Sequence, residues 1–160
     1  MRYRLFVFDL DETLWTIRHK SLDPVSGPFE LTGSHEAESP TAVVRLFPGV
    51  RALLRNLERR GKFISLASRS DPEVCDELLK HFDIRKHFQY PQYGWQEKGA
   101  AVLNVIRAYR DIDKEPIEPA ETLFVDDYPA NIEEVKGVGA STLLFGRDVR
   151  SIQELSWMLA

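Results

Sequence analysis

Cysteine is almost absent from this sequence. Cys75 is the only one in 160 residues, which excludes an intramolecular disulfide and fits a reducing compartment. Long hydrophobic runs are missing too. The first apolar stretch, Leu5 to Phe8, is four residues long before Asp9 interrupts it, too short for a signal-peptide core or a membrane span. Basic charge is not in excess: 21 Lys and Arg face 25 Asp and Glu, for a net charge of −4. No basic field is available to attract a nucleic-acid backbone. Internal repeats and low-complexity tracts are also lacking. The expectation is a cytoplasmic monomer with neither a membrane nor a nucleic acid as partner. Its length suits one compact domain over residues 1–160.

What is present is a rhythm of short β-rich runs and amphipathic segments. Tyr3 to Phe8 stops at Asp9, Lys62 to Ala67 at Ser68, Thr122 to Val125 at Asp126, and Ser141 to Phe145 at Gly146. Apolar runs this short, without clean alternation, suit parallel strands buried on both faces. Helical spacing fills the gaps. Pro48 to Arg60 carries Val50, Leu53, Leu54 and Leu57 on one face and ends at Gly61. Asp71-Pro72 is an N-cap followed by a first-turn proline, leading a helix towards Phe82. Gly99 to Tyr109, Pro129 to Lys136 and Ser151 to Leu159 complete the set. Alternating strands and helices predict a doubly wound α/β sheet, a three-layer sandwich of the Rossmann-like kind. In such sheets ligands bind beyond the carboxyl ends of the strands.

Three of the four runs end on a residue suited to phosphate chemistry: Asp9, Ser68 and Asp126. Asp9 and Asp11 follow the first strand, and Asp126-Asp127 follows the third run. Carboxylates crowded on one rim raise each other's pKa or require a cation to stay ionised. An oxygen-only set of this kind suits magnesium. The alternative is that these acids cap helices and face solvent. Ser68 has a helix-capping alternative as well, but Asp71 already fills that post.

The stretches FVFDLDETLW, LASRS, QEKGAA and FVDDYPANI resemble, in order, the four signature motifs of the haloacid dehalogenase (HAD) superfamily. Within it the chain is most similar to the small capless magnesium-dependent phosphatases. The likeness lies in DLDETLW, the proline-rich insert behind it, the Ser-Arg pair and FVDDYPANI. It implies a HAD-like fold and a phosphoric monoester hydrolase using Mg2+. Asp9 resembles the nucleophile that forms an aspartyl-phosphate, and Asp11 the general acid–base. HAD dehalogenases lack that second acid, so Asp11 favours phosphoryl transfer. The metal set implied is Asp9, Asp126 and Asp11, the last through its backbone carbonyl. Ser68 resembles the phosphate-binding hydroxyl. Lys98 is taken as the third-motif cation, because Gly99-Ala100-Ala101 lets its helix start close to the site, whereas Lys80 and Lys86 lack such a setting. Arg69 has two readings, a fork onto phosphate or a pairing with an acid. Thr13 steadies the loop through side-chain to backbone bonds. Asp127 is a second ligand through water or an orienter, and Asn131 is a residue able to bond back to the acidic loop.

The stretch from Trp15 to Phe47, about 33 residues, breaks the rhythm and reads as an irregular insert or flap, smaller than a helical cap. Trp15, His19, Phe29 and His35 are candidates for the approach to the site, with packing under the loop after the active-site turn as the reading for Trp15 and plain solvation, without a catalytic role, as the alternative for the histidines. Tyr90, Tyr93 and Trp95 are either on a pocket wall or packed under a loop. The expected partner is a phosphoester, either a phosphoprotein (phosphotyrosine) or a sugar phosphate. Two alternatives remain: a protein-serine phosphatase of the RNA-polymerase-tail type, whose stranded insert after the second strand is missing, or a non-catalytic phosphate-binding scaffold.

Overall fold

The computed structural model describes residues 2–160. In chain order it runs β1 (Leu5–Phe8), β2 (Trp15–His19), β3 (Glu30–Gly33), β4 (Glu36–Glu38), β5 (Ala42–Leu46), α1 (Val50–Arg59) and β6 (Phe63–Ser68). Then follow α2 (Pro72–His81), β7 (Gln92–Tyr93), α3 (Lys98–Ile112), β8 (Thr122–Asp126), α4 (Pro129–Lys136), β9 (Ser141–Leu144) and α5 (Ile152–Met158). Among the described residues no helix is long and apolar enough to cross a membrane.

The main sheet has the order β7-β6-β1-β8-β9 and every pairing in it is parallel. β1 lies in the middle, and its pleat explains the two cores. Phe6 and Phe8 point to one face, where they pack with α1, α2 and α5. Leu5 and Val7 point to the other, packing with α3 and α4. All four side chains are fully buried, each contributing about 1.5–3 kcal/mol. This is the expected α/β three-layer arrangement. β7 escaped the sequence reading because only two of its residues pair, Gln92 with Ala67 and Tyr93 with Ser68.

The expectation of an irregular insert is corrected. Residues 15–46 hold a four-stranded antiparallel sheet in the order β2-β5-β4-β3. Its strands are three to five residues long, and β3 is exposed throughout, so no apolar alternation could emerge in the sequence. The insert is also not a loose flap. Trp15, Phe29, Ala37, Val44 and Leu46 belong to the same core cluster as Phe6 and α2. The Phe29 N–H donates to Glu77 Oε2 on α2 at 2.5 Å, fastening the insert to the body.

Two local features aim the site residues. Asp71 caps α2 by accepting from the N–H groups of Glu73 (2.8 Å) and Val74 (3.4 Å), with Pro72 behind it, as expected. Gly99 lets the start of α3 press against α4: a Cβ there would lie 2.8 Å from the Glu134 carbonyl oxygen and 3.1 Å from Val138 Cγ1. Backbone cannot yield as a side-chain tip can. Gly99→Ala is therefore expected to destabilise the protein by about 1–3 kcal/mol, read as a lower urea midpoint with an unchanged slope.

Candidate active site

The site lies where β1, β6 and β8 end. Asp9 follows β1 directly, its N–H bonded to the Val125 carbonyl of β8 at 2.9 Å. Asp126 closes β8 and is fully buried. Between them stands the Lys98 ammonium, itself buried. It donates to Asp9 Oδ1 at 2.9 Å and to the Ala67 carbonyl at 2.6 Å, and lies 3.3 Å from Asp126 Oδ2. The lysine thus stands at the first turn of α3, beside Asp9. Lys80 and Lys86 instead pair with Asp76 and Asp83.

Burial holds the Asp9 carboxyl well above the ordinary carboxylate range, Lys98 opposes that rise, and Asp126 adds to it. Asp127 is raised as well, by its own burial first. Carboxylate oxygens of Asp9, Asp126 and Asp127 all lie within 4.8 Å of one another. Asp127 therefore stands nearer the centre than an outer supporting residue would.

The Asp11 side chain stands apart from these three carboxylates, which agrees with a part in metal binding through its backbone carbonyl alone. Its side chain is outside that cluster because both oxygens are taken: Oδ1 accepts from Trp15 Nε1 at 2.8 Å and Oδ2 from Ser70 Oγ at 2.6 Å. The turn carrying it is tight. Glu12 sits at φ 62°, and the Thr13 and Leu14 N–H groups both reach the Leu10 carbonyl. The expectation for Thr13 is also corrected. Its hydroxyl lies 3.3 Å from Asp9 Oδ2 and 3.4 Å from Asp127 Oδ1, bridging side chains rather than bonding to backbone.

Ser68 ends β6, buried, its Oγ accepting from the Ser70 N–H at 3.2 Å and 3.5 Å from Cys75 Sγ. The Cys75 thiol is pushed up to about 12 by burial, so it stays neutral, as a core residue should.

Arg69 resolves against the phosphate fork. Its guanidinium donates to the Gln96 carbonyl (2.8 Å), Asn131 Oδ1 (2.7 Å) and both Glu134 oxygens (2.9 and 3.1 Å), and it stacks on Trp95. Asn131 passes this on: its Nδ2 donates to Asp126 Oδ2 at 3.0 Å. Glu134, which the sequence reading missed, also accepts from the Lys98 N–H at 2.7 Å. It lies one helical turn after Asn131, but nothing local marks it. Ser70 and Trp15 were missed as partners of Asp11, although Ser70 is a second hydroxyl two residues past Ser68. Of the aromatic and histidine residues proposed for the approach, Phe29 is buried in the core and Tyr90 packs edge-on against Tyr109. His35 bonds to Ser34 and Arg51. His19 lines a cleft with Asp11.

A family model described as acid phosphatase matches residues 2–148. The chain belongs to that family. It is accordingly a phosphatase-type hydrolase acting on phosphoesters. No curated protein matches it. Solved structures share the fold at low identity. A HAD-superfamily hydrolase from Ehrlichia chaffeensis is 15% identical with a TM-score of 0.68, over 98% of this chain and 96% of that one. A predicted phosphoglycolate phosphatase from Haemophilus somnus is 13% identical with a TM-score of 0.72, over 100% and 99%. The N-terminal part of a Bacteroides fragilis protein, containing a phosphatase domain complexed with Mg, is 16% identical with a TM-score of 0.64, over 96% of this chain and 39% of that one.

Arg69 in this acid phosphatase is a strut between β6 and α4. Arg69→Ala leaves the buried Asn131 carbonyl oxygen unpaired and is expected to cost about 1–3 kcal/mol, measured by urea unfolding. A drop in phosphate affinity with no loss of stability would contradict the strut.

Proposed function

We propose that the protein is a magnesium-dependent phosphomonoester hydrolase in which Asp9 is transiently phosphorylated. The observation that carries this reading is the Asp9 carboxylate, buried at the end of β1 with one oxygen on the Lys98 ammonium at 2.9 Å. The donor set fits a small hard cation: three carboxylates, oxygen only, mutually within 4.8 Å. When bound by Asp9, Asp126 and Asp127, magnesium would offset their charge and stabilise the equatorial oxygens of the phosphoryl group.

The chain's own residues supply the rest. An Asp9 oxygen attacks phosphorus as the bond to the ester oxygen breaks. Lys98 and the Ser68 hydroxyl hold phosphoryl oxygens. Asp11 gives its proton to the departing alcohol oxygen, then takes one from the water that cleaves the acyl-phosphate. Trp15 and Ser70 fix the rotamer of Asp11, so the acid stands ready at one distance from the ester. Asp126 is oriented by the Tyr128 N–H (2.9 Å) and by Asn131. We read the insert and the parallel sheet as one domain because they share a core. The insert forms a wall rather than a lid, which supports monoesters as bulky as phosphoprotein side chains as well as sugar phosphates.

Turnover of p-nitrophenyl phosphate is the direct test. Activity should require magnesium, vanish with excess chelator, and fall at least about a thousandfold in Asp9→Asn, while circular dichroism stays native. Metal-independent turnover, or an active Asp9→Asn, would refute the mechanism. Stability gives a second reading. Because the folded pKa of Asp9 is raised, the metal-free protein gains stability from this group below its unfolded pKa. That gain is lost as pH rises through the folded value. Added magnesium should therefore raise Tm most near neutral pH and progressively less towards pH 4, by differential scanning fluorimetry.

A further inference from the structure

A cleft of about 450 Å³ opens beside Asp11, between the insert and α2. That is room for a small organic group. One wall is Trp15, Ile17 and Val25 of the insert, and the other is Val74 and Leu78 of α2. Neither wall is a free surface patch: Trp15, Val74 and Leu78 are buried in the main core. The charge at the mouth has one sign. Asp11, Glu12 and Asp71 all line the cleft, and the only basic side chain with them is His19.

We infer that this cleft is the leaving-group subsite and that it takes an uncharged, apolar alcohol moiety. The inference rests on the proposed reading in which Asp11 faces the ester oxygen, since the group beyond that oxygen must then lie on the Asp11 side. The cleft is continuous with Asp11 and does not include Lys98, Ser68 or the three clustered carboxylates. The half-buried Ile17 and Val25 supply the apolar surface that an aryl or alkyl group would cover, over a floor of core residues already buried. Glu12 and Asp71 repel a second phosphate or a carboxylate at the same position, while Asp11 carries the proton it gives to the leaving oxygen. Esters of carboxylated alcohols are therefore selected against, whatever the phosphoryl chemistry. Specificity then resides in Ile17 and Val25, which belong to the insert, and in Asp71, the α2 cap.

Binding of non-hydrolysable phosphonates to the magnesium-loaded protein tests this without turnover. By calorimetry, phenylphosphonate should bind about tenfold or more tightly than methylphosphonate, and phosphonoacetate more weakly than either. Val25→Trp, which fills the cleft, and Ile17→Ala, which shaves its wall, should each collapse the phenyl-to-methyl ratio. Asp71→Asn keeps an N-cap residue and should narrow the penalty on phosphonoacetate. Phenyl and methyl affinities within about twofold of each other, or a ratio unmoved by both wall variants, would overturn the inference. Hydrolysis of acetyl phosphate, whose leaving group is too small to fill the cleft, probes the phosphatase reading separately. Failure there with phenyl selectivity intact would sink the chemistry and leave the cleft supported.

Discussion

A buried ammonium held between two buried carboxylates organises this molecule. Lys98 reaches from the first turn of α3 to Asp9, Asp126 and the Ala67 carbonyl. It thereby joins the ends of β1, β6 and β8. A charge desolvated this deeply is tolerable only with partners on every side. That requirement fixes much else. α3 must begin close to the sheet, which is why Gly99 meets the Glu134 carbonyl, and α4 must stay where its Asn131 can hold Asp126.

Around that centre the polar groups form a second ring. Arg69 ties Asn131 and Glu134 together, and Glu134 in turn accepts from the Lys98 N–H. Each member holds the one before it, so the orientation of Asp126 depends on side chains that never approach the reacting atoms. Thr13 bridges Asp9 and Asp127 on the other side. The raised carboxyls of Asp9 and Asp127 show how far the arrangement is withdrawn from water, with the charge of Asp126 adding to the effect of burial.

The parts legible in the sequence were those where burial is two-sided or a residue type is rare in its setting. β1, β6 and β8 read plainly because both faces are apolar, and an acid or hydroxyl after such a run stands out. Asp71-Pro72 read plainly because capping chemistry is local. Other features depend on partners far along the chain. The fork on Arg69 is decided by Glu134, 65 residues away, and the strand β7 by a two-residue pairing. The insert sheet stayed hidden because its strands are short and β3 buries nothing. Asp11 stood out by its motif, but its two donors, Trp15 and Ser70, come from opposite walls and share no pattern.

The bond from Trp15 to Asp11 has a consequence for engineering. Trp15 is the first residue of the insert, and its indole both fills the main core and holds one oxygen of Asp11. The insert is therefore not a cassette. Replacing residues 15–46 with a foreign cap would remove a wall and, with it, one of the two anchors of Asp11. A graft that aims to change substrate range must begin after Trp15, or else import an indole in the same position.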